Sequence, residues 1–293
     1  MRFFNTAGPV NCDKHYCLSP LSRFDLAEVL SLIRQEKYFV LHAPRQSGKT
    51  SCLFALNDHL DRGGEFHALY INVEPGQTAR DDVKRGIRAV LTQLAYAIEE
   101  KFPGSQVPSQ IYTAIEEKGE DTALTAILTD FCKTLDKPLV LFIDEIDALV
   151  GETLISVLRQ LRAGYTKRPE LFPSTVILCG VRDVRDYRIL SGSEKMIITG
   201  GSAFNVKAKS LRLGNFSEAE TRSLLLEHTK ETGQVFEKNA LKSIWSLTKG
   251  QPWLVNALAY ETCFELEEGK ARNNPITDLL VEQAKENLII RRV

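Results

Sequence analysis

Apolar positions recur at helical spacing over residues 24–36, and the chain then changes to a continuous apolar run, Tyr38-Phe39-Val40-Leu41-His42-Ala43, of the kind that forms a strand buried on both faces. The alternation continues. Lys49–Leu60 predicts a helix, Ala68-Leu69-Tyr70-Ile71-Asn72-Val73 a strand and Arg80–Phe102 a long helix, with two further helical pieces over 108–135. Leu139-Val140-Leu141-Phe142-Ile143 and Thr175-Val176-Ile177-Leu178-Cys179 predict two more strands, separated by a helix over Glu152–Tyr165 and a turn bounded by Pro169 and Pro173. Parallel neighbours need crossover connections of this length, so the pattern predicts an α/β fold: a parallel sheet covered on both faces, with its ligand beyond the carboxyl ends of the strands. A last short strand, Ser210–Leu213, precedes a change of texture. Ser217 and Glu220 have the spacing of a capping box, and the pattern from there to Val293 is helical, broken at Gly233, Gly250 and Gly269. The predicted division is an α/β core over 1–213 and a smaller helical domain, lid or winged-helix-like, over 214–293.

Composition narrows the classes. With 293 residues, 43% hydrophobic and 26% charged, the chain can bury a sizeable core, which excludes disorder. The 37 Lys and Arg against 38 Asp and Glu leave a net charge of -1, so no bulk field marks a nucleic-acid or membrane binder. The N-terminus lacks the apolar stretch of a signal peptide, and no run approaches the ~20 apolar residues of a membrane span. A soluble, cytoplasmic protein is expected. The six cysteines, Cys12, Cys17, Cys52, Cys132, Cys179 and Cys263, are scattered without a Cys-x-x-Cys or zinc spacing. They read as buried free thiols. Cys12 and Cys17 are close enough to pair or share a metal, but a reducing cytosol and missing partner ligands argue against both.

The chemistry is concentrated where the first strand meets the following helix, in Ala43-Pro44-Arg45-Gln46-Ser47-Gly48-Lys49-Thr50 and then Ser51. A strand, this loop and a helix make the setting of a phosphate-binding P-loop, or Walker A motif. Backbone N–H groups and the helix N-terminus surround phosphates, Lys49 supplies a charge to the β- and γ-phosphates, and the Thr50 hydroxyl ligates Mg²⁺. Ala43 stands where the motif has its first glycine, so the start of the loop must use ordinary backbone geometry. The strand Leu139–Ile143 ends in Asp144 and Glu145, an arrangement that puts an acid at a strand tip beside the P-loop (Walker B). Asp144 would hold the Mg²⁺ shell, and Glu145 would orient and deprotonate the attacking water. The plain alternative is an acidic turn in which Asp144 and Asp147 cap the next helix.

The P-loop, the Asp144-Glu145 strand and the helical C-terminal region resemble the additional-strand P-loop ATPases, specifically the AAA+-like and signal-transduction group that includes archaeal-type ATPases. The resemblance implies ATP as ligand, Mg²⁺ as cofactor and ATPase activity. Arg182, after the strand ending in Gly180, is similar to the family's sensor of the γ-phosphate. Lys249-Gly250-Gln251-Pro252 resembles a Gly-x-Pro motif whose proline packs near the base, although glycine then proline also makes an ordinary helix junction. Asn5–Pro9 occupies the place of a segment that crosses the adenine. An arginine finger from a neighbouring copy in a homo-oligomer would come from Arg159, Arg162, Lys167, Arg168, Arg185 or Arg188, which otherwise form a solvated helix face. The expected activity is Mg-ATP hydrolysis that moves the helical lid and drives an unidentified protein or nucleic-acid partner. The alternative is a slow or non-hydrolysing switch that assembles when loaded. Because Leu288–Val293 ends uncapped in an apolar and basic helical pattern, a further C-terminal domain is expected.

Overall fold

The structure, a computed structural model, describes residues 1–183, 188–190, 197–199 and 204–291. Five parallel strands form the central sheet: β1 (Tyr38–His42), β2 (His67–Asn72), β3 (Leu139–Asp144), β4 (Thr175–Gly180) and β7 (Lys207–Arg212), in the order β2-β3-β4-β1-β7. Between β4 and β7 a short antiparallel hairpin, β5 (Arg188–Leu190) and β6 (Ile197–Thr199), forms a separate ribbon that the hydrophobic pattern does not announce. The helices of this part are α1 (Leu26–Arg34), α2 (Lys49–Gly63), α3 (Val83–Lys101), α4 (Val107–Lys118), α5 (Ala123–Cys132) and α6 (Gly151–Ala163). Every residue of β3 and β4 is buried, as strands covered on both faces require.

The strand order separates the two strands that carry the candidate motifs. β3, which bears the acidic pair, does not adjoin β1, which leads into the P-loop, because β4 lies between them with Phe39 opposite Ile177 and Ile143 opposite Leu178. The inserted strand is the additional strand that the resemblance implies.

The chain divides into two compact units. The α/β unit comprises Asp25–Pro44 and Leu53–Arg212. Its core joins Val40, Leu69, Leu141 and Leu178 of the sheet to Ile87, Leu94, Leu158 and Leu161 of the helices. The helical unit comprises Leu213–Val293 with Met1–Phe24 and Arg45–Cys52, so the amino-terminal segment and the P-loop pack with it. It holds α7 (Glu218–Thr232), α8 (Lys238–Thr248), α9 (Pro252–Tyr260), α10 (Glu267–Lys270) and α11 (Asp278–Ile290), with a π-helical turn over Glu261–Glu265. Ser217 opens α7 with the full reciprocal box: its hydroxyl accepts the Glu220 N–H, and the Glu220 carboxylate accepts the Ser217 N–H at 2.7 Å. Phe4 and Tyr16 of the amino-terminal segment sit fully buried among Leu225, Ile244, Val255 and Val281.

The cysteines divide. Cys52, Cys132, Cys179 and Cys263 are buried free thiols, whereas Cys12 and Cys17 form a disulfide, contrary to the expectation that they stay apart. The turn between them brings the two residues to a Cα separation of 5.4 Å, inside the range a disulfide spans. That turn is shaped by Asn11, whose carbonyl accepts the N–H groups of Lys14 and His15. Among the described residues no helix is long and apolar enough to cross a membrane.

Candidate nucleotide site

The P-loop departs from ordinary backbone geometry at two places: Gln46 takes φ +59° and Gly48 takes φ +84°. Ala43 needs no such freedom, which explains how alanine replaces glycine there. Successive turns of this kind point neighbouring N–H groups into one concavity, the arrangement that binds anions. Lys49 is the first residue of α2 and is 6% exposed, and Ser47 is 1% exposed.

The loop is gripped from the helical unit that contains it. The Arg23 guanidinium donates to the Ser47 carbonyl at 3.2 Å and to the Gly214 carbonyl, and lies 4.5 Å from the centre of the Phe216 ring. Burial pulls this guanidinium below its ordinary pKa. The Gln251 amide donates to the Gln46 carbonyl at 3.2 Å and, at the limit of 3.5 Å, to that of Arg45, while its oxygen accepts the Leu254 N–H at 2.6 Å and so caps α9. Pro252 is buried at the first position of α9. Two residues of α9 also hold the amino-terminal segment: Trp253 Nε1 donates to the Thr6 carbonyl at 2.8 Å, and Asn256 accepts the Asn5 N–H at 3.2 Å. The Val10 N–H then donates to the Ser51 hydroxyl at 3.0 Å. Ser51 and the Gly-x-Pro junction are thereby brought to one amino-terminal strap.

In the α/β unit, Asp144 ends β3 fully buried. One carboxylate oxygen accepts the Tyr70 hydroxyl and the other the Glu145 N–H, both at 2.9 Å. Burial, and then the Asp144 charge, push the Tyr70 hydroxyl well above its ordinary pKa, so it stays a donor. Glu145 adopts φ +56°, a left-handed conformation uncommon for a residue with a side chain and often found at functional positions. Asp147 does not cap a helix: its carboxylate accepts the Val181 N–H at 3.0 Å and ties the turn after β3 to the end of β4. Arg182 follows there with an exposed side chain, while its neighbour Asp183 is buried against Lys207, at 2.6 Å, and Ser210. Among the finger candidates, Arg159, Arg162 and Lys167 are exposed. Arg168 is a structural residue, donating to the carbonyls of Tyr165, Ser174 and Glu36 and stacking 3.5 Å from the Tyr165 ring centre. Arg185 and the side chain of Arg188 lie outside the described residues.

A protein-family model described as an AAA domain matches residues 33–187, more than half of the chain. The chain belongs to the AAA family. No curated protein matches it. Solved structures similar to this AAA domain include a Walker-type ATPase of Pyrococcus abyssi, with TM-score 0.61 and 16% identity over 99% of this chain and 77% of that one. Another is Cdc6p of Pyrobaculum aerophilum, with TM-score 0.57 and 15% identity over 91% and 65%. A third is a point variant of Thermotoga maritima RuvB, with TM-score 0.51 and 15% identity over 90% and 66%. The chain thus spans about two thirds of the length of the RuvB and Cdc6p chains. At these identities the likeness is one of fold, that of a P-loop NTPase with a C-terminal helical region.

Sequence reasoning missed Arg23, Tyr70 and Gln251. Gln251 carries a signal, since a polar residue directly before a first-turn proline is an N-cap candidate. Tyr70 becomes visible once β2 is set against β3, for Asn72 then faces Asp144 and Tyr70 lies two residues away on the same side. Arg23 has no sequence signal: its partners Ser47 and Gly214 are far along the chain.

Proposed function

We propose that this AAA domain binds ATP with Mg²⁺ and hydrolyses the β–γ phosphoanhydride bond, and that turnover moves the helical region after residue 213 to drive a partner or an attached domain. The observation that carries the reading is the pair of left-handed residues, Gln46 and Gly48, leading directly into Lys49 at the buried first turn of α2. The loop from Ala43 to Ser51 would surround the phosphates, with Lys49 pairing the β- and γ-phosphates. The donor set fits Mg²⁺ rather than a softer ion: a hydroxyl, Thr50, and a carboxylate, Asp144, are hard oxygen ligands, and a magnesium site completed by phosphate oxygens needs few of them. When bound, Mg²⁺ would neutralise charge on the phosphate oxygens. The Asp144 side chain is oriented by hydrogen bonds from the Tyr70 hydroxyl and the Glu145 N–H, and Glu145 would take the proton of the attacking water. The left-handed backbone at Glu145 favours this role over that of a capping acid. Arg182 would sense the γ-phosphate, and Pro252 would pack against the base.

The experiment compares Lys49→Ala and Glu145→Gln by nucleotide affinity, phosphate release and circular dichroism. Lys49→Ala is expected to stay folded and lose ATP binding; Glu145→Gln is expected to keep ATP and Mg²⁺ and to stop turning over. Parental affinity in folded Lys49→Ala would remove the phosphate assignment. Parental turnover in Glu145→Gln would move the reading to a slow or non-hydrolysing switch that assembles when ATP is bound.

A further inference from the structure

A P-loop works only if its N–H groups converge, and a loop outside regular secondary structure does not enforce that by itself. A trans peptide is planar, so the carbonyl of one residue and the N–H of the next point in opposite directions. Holding the carbonyls of Arg45, Gln46 and Ser47 on one side therefore turns the N–H groups of Gln46, Ser47 and Gly48 to the other. Those three carbonyls are the ones gripped here: Gln251 donates to the first two at 3.5 and 3.2 Å, and Arg23 to the third at 3.2 Å.

Each gripping side chain is itself anchored. The second arm of the Arg23 guanidinium donates to the Gly214 carbonyl, and the group stacks on Phe216, where a cation over an aromatic face is favoured. The Gln251 oxygen is committed to the Leu254 N–H, which fixes which end of the amide faces the loop. A Cβ at Gly48 would meet the Arg23 guanidinium at 3.4 Å, an ordinary van der Waals contact, so the clamp lies directly beside the loop.

We propose that Arg23 and Gln251 are positioning residues of the nucleotide site: they hold the P-loop carbonyls away from the ligand and so aim its N–H groups at the phosphates. The proposal rests on the reading of Ala43–Ser51 as the phosphate cradle. Neither residue belongs to the loop motif. They come from segments far apart in the chain, one before β1 and one at the start of α9. The conformation of the loop is thereby made to depend on Gly214 and on the start of α9, both in the helical region.

The test uses the full chain and two conservative variants. Arg23→Lys keeps the charge and loses the fork that serves two carbonyls. Gln251→Glu keeps the acceptor for Leu254 and loses the donor to the loop. ATP and tripolyphosphate, which has phosphates and no base, are each titrated against a fluorescent ATP analogue, with Lys49→Ala as the control and the melting temperature read without nucleotide. Each clamp variant is expected to weaken ATP and tripolyphosphate by the same factor, about five- to tenfold for the loss of one such bond. Parental affinity in both folded clamp variants overturns the positioning role alone, provided Lys49→Ala has lost ATP. A lowered melting temperature with parental tripolyphosphate affinity overturns it too, since that is the signature of a purely structural contact. Equal ATP affinity in the parent and Lys49→Ala would bring down the cradle reading itself, and the clamp with it.

Discussion

Asp144 shows how a buried acidic side chain finds its partners within one sheet. It is fully buried, yet each of its oxygens accepts a hydrogen bond, from Tyr70 and from the Glu145 N–H, which offsets part of the desolvation cost. Tyr70→Phe removes one of those donors while leaving the ring that packs 4.6 Å from Phe54. We expect about 1–2 kcal/mol of lost stability in urea unfolding and a higher Mg²⁺ requirement for ATP turnover. An unchanged Mg²⁺ requirement would mean that the hydroxyl is a structural partner only. The roles proposed for Arg182 and Pro252 separate in one comparison of ATP with ADP. Arg182→Ala is expected to bind ADP as the parent does and to lose about 1.5–3 kcal/mol of its preference for ATP, whereas Pro252→Ala should weaken both nucleotides alike. Equal losses for both nucleotides in Arg182→Ala, or none in Pro252→Ala, would remove the respective role. The residues legible in the sequence are those whose chemistry is written locally: Lys49 behind its glycine, Asp144 at the end of an apolar run. Tyr70 was not legible because its role exists only across a strand pair, with 74 positions of chain between it and its partner.

The junction of α8 and α9 does more than turn the chain. Gly250 takes φ +71° and its carbonyl accepts the Phe216 N–H at 2.8 Å, so the linker after β7 is hydrogen-bonded to the residue just before the Gln251 cap. A Cβ at Gly250 would fall 2.0 Å from the Phe216 oxygen and 2.7 Å from the Trp245 ring. Gly233, at the end of α7, has φ +78° and nothing within 4 Å of the same position. The pair separates two costs. Gly233→Ala should lose only the ~1 kcal/mol of a left-handed alanine, while Gly250→Ala should lose about 2–3 kcal/mol more through overlap, read as the difference between their urea midpoints. Similar midpoints would show that the α8–α9 turn yields freely. Periodicity made both helix ends legible, along with the strands of the central sheet and the Ser217–Glu220 box, because caps and buried strands are properties of short segments. It could not give the order of strands. That β4 enters between β1 and β3 is decided by packing on both faces of the sheet, and a parallel sheet leaves no local mark of its neighbours.

At the scale of the molecule, the amino-terminal segment is built into the helical unit through a buried polar network. His228 is fully buried, with Nδ1 3.2 Å from the Tyr16 hydroxyl and Nε2 2.8 Å from Gln234 Oε1. The Gln234 amide nitrogen donates to the carbonyls of Gly269 and Asn274, so its oxygen is the acceptor and His228 Nε2 carries the proton, leaving Nδ1 to accept from Tyr16. Arg272 donates to the same Gln234 oxygen at 2.9 Å and brings a positive charge beside the ring, while Glu231 acts weakly in the opposite sense. Burial, the largest influence, outweighs the opposing Gln234 hydrogen bond and, with the Arg272 charge, lowers the His228 pKa and holds the ring neutral. The unfolded chain, with an ordinary histidine near 6.5, therefore binds more protons than the native one in the interval below that value. Stability is fully present above about pH 6.5 and declines as the pH falls below it, by up to ~1.4 kcal/mol per pH unit until the native ring also titrates. Urea unfolding at pH 7.5, 6.5 and 5.5 should show that decline in the parent, at least one unit above the 4.5 near which the unfolded chain's Glu227 and Glu231, both lowered in the native state, take up protons. His228→Gln should flatten most of it, the remainder belonging to His15, which burial also lowers. The same slope in parent and variant would place the acid sensitivity elsewhere and leave the Tyr16–His228 contact as packing alone.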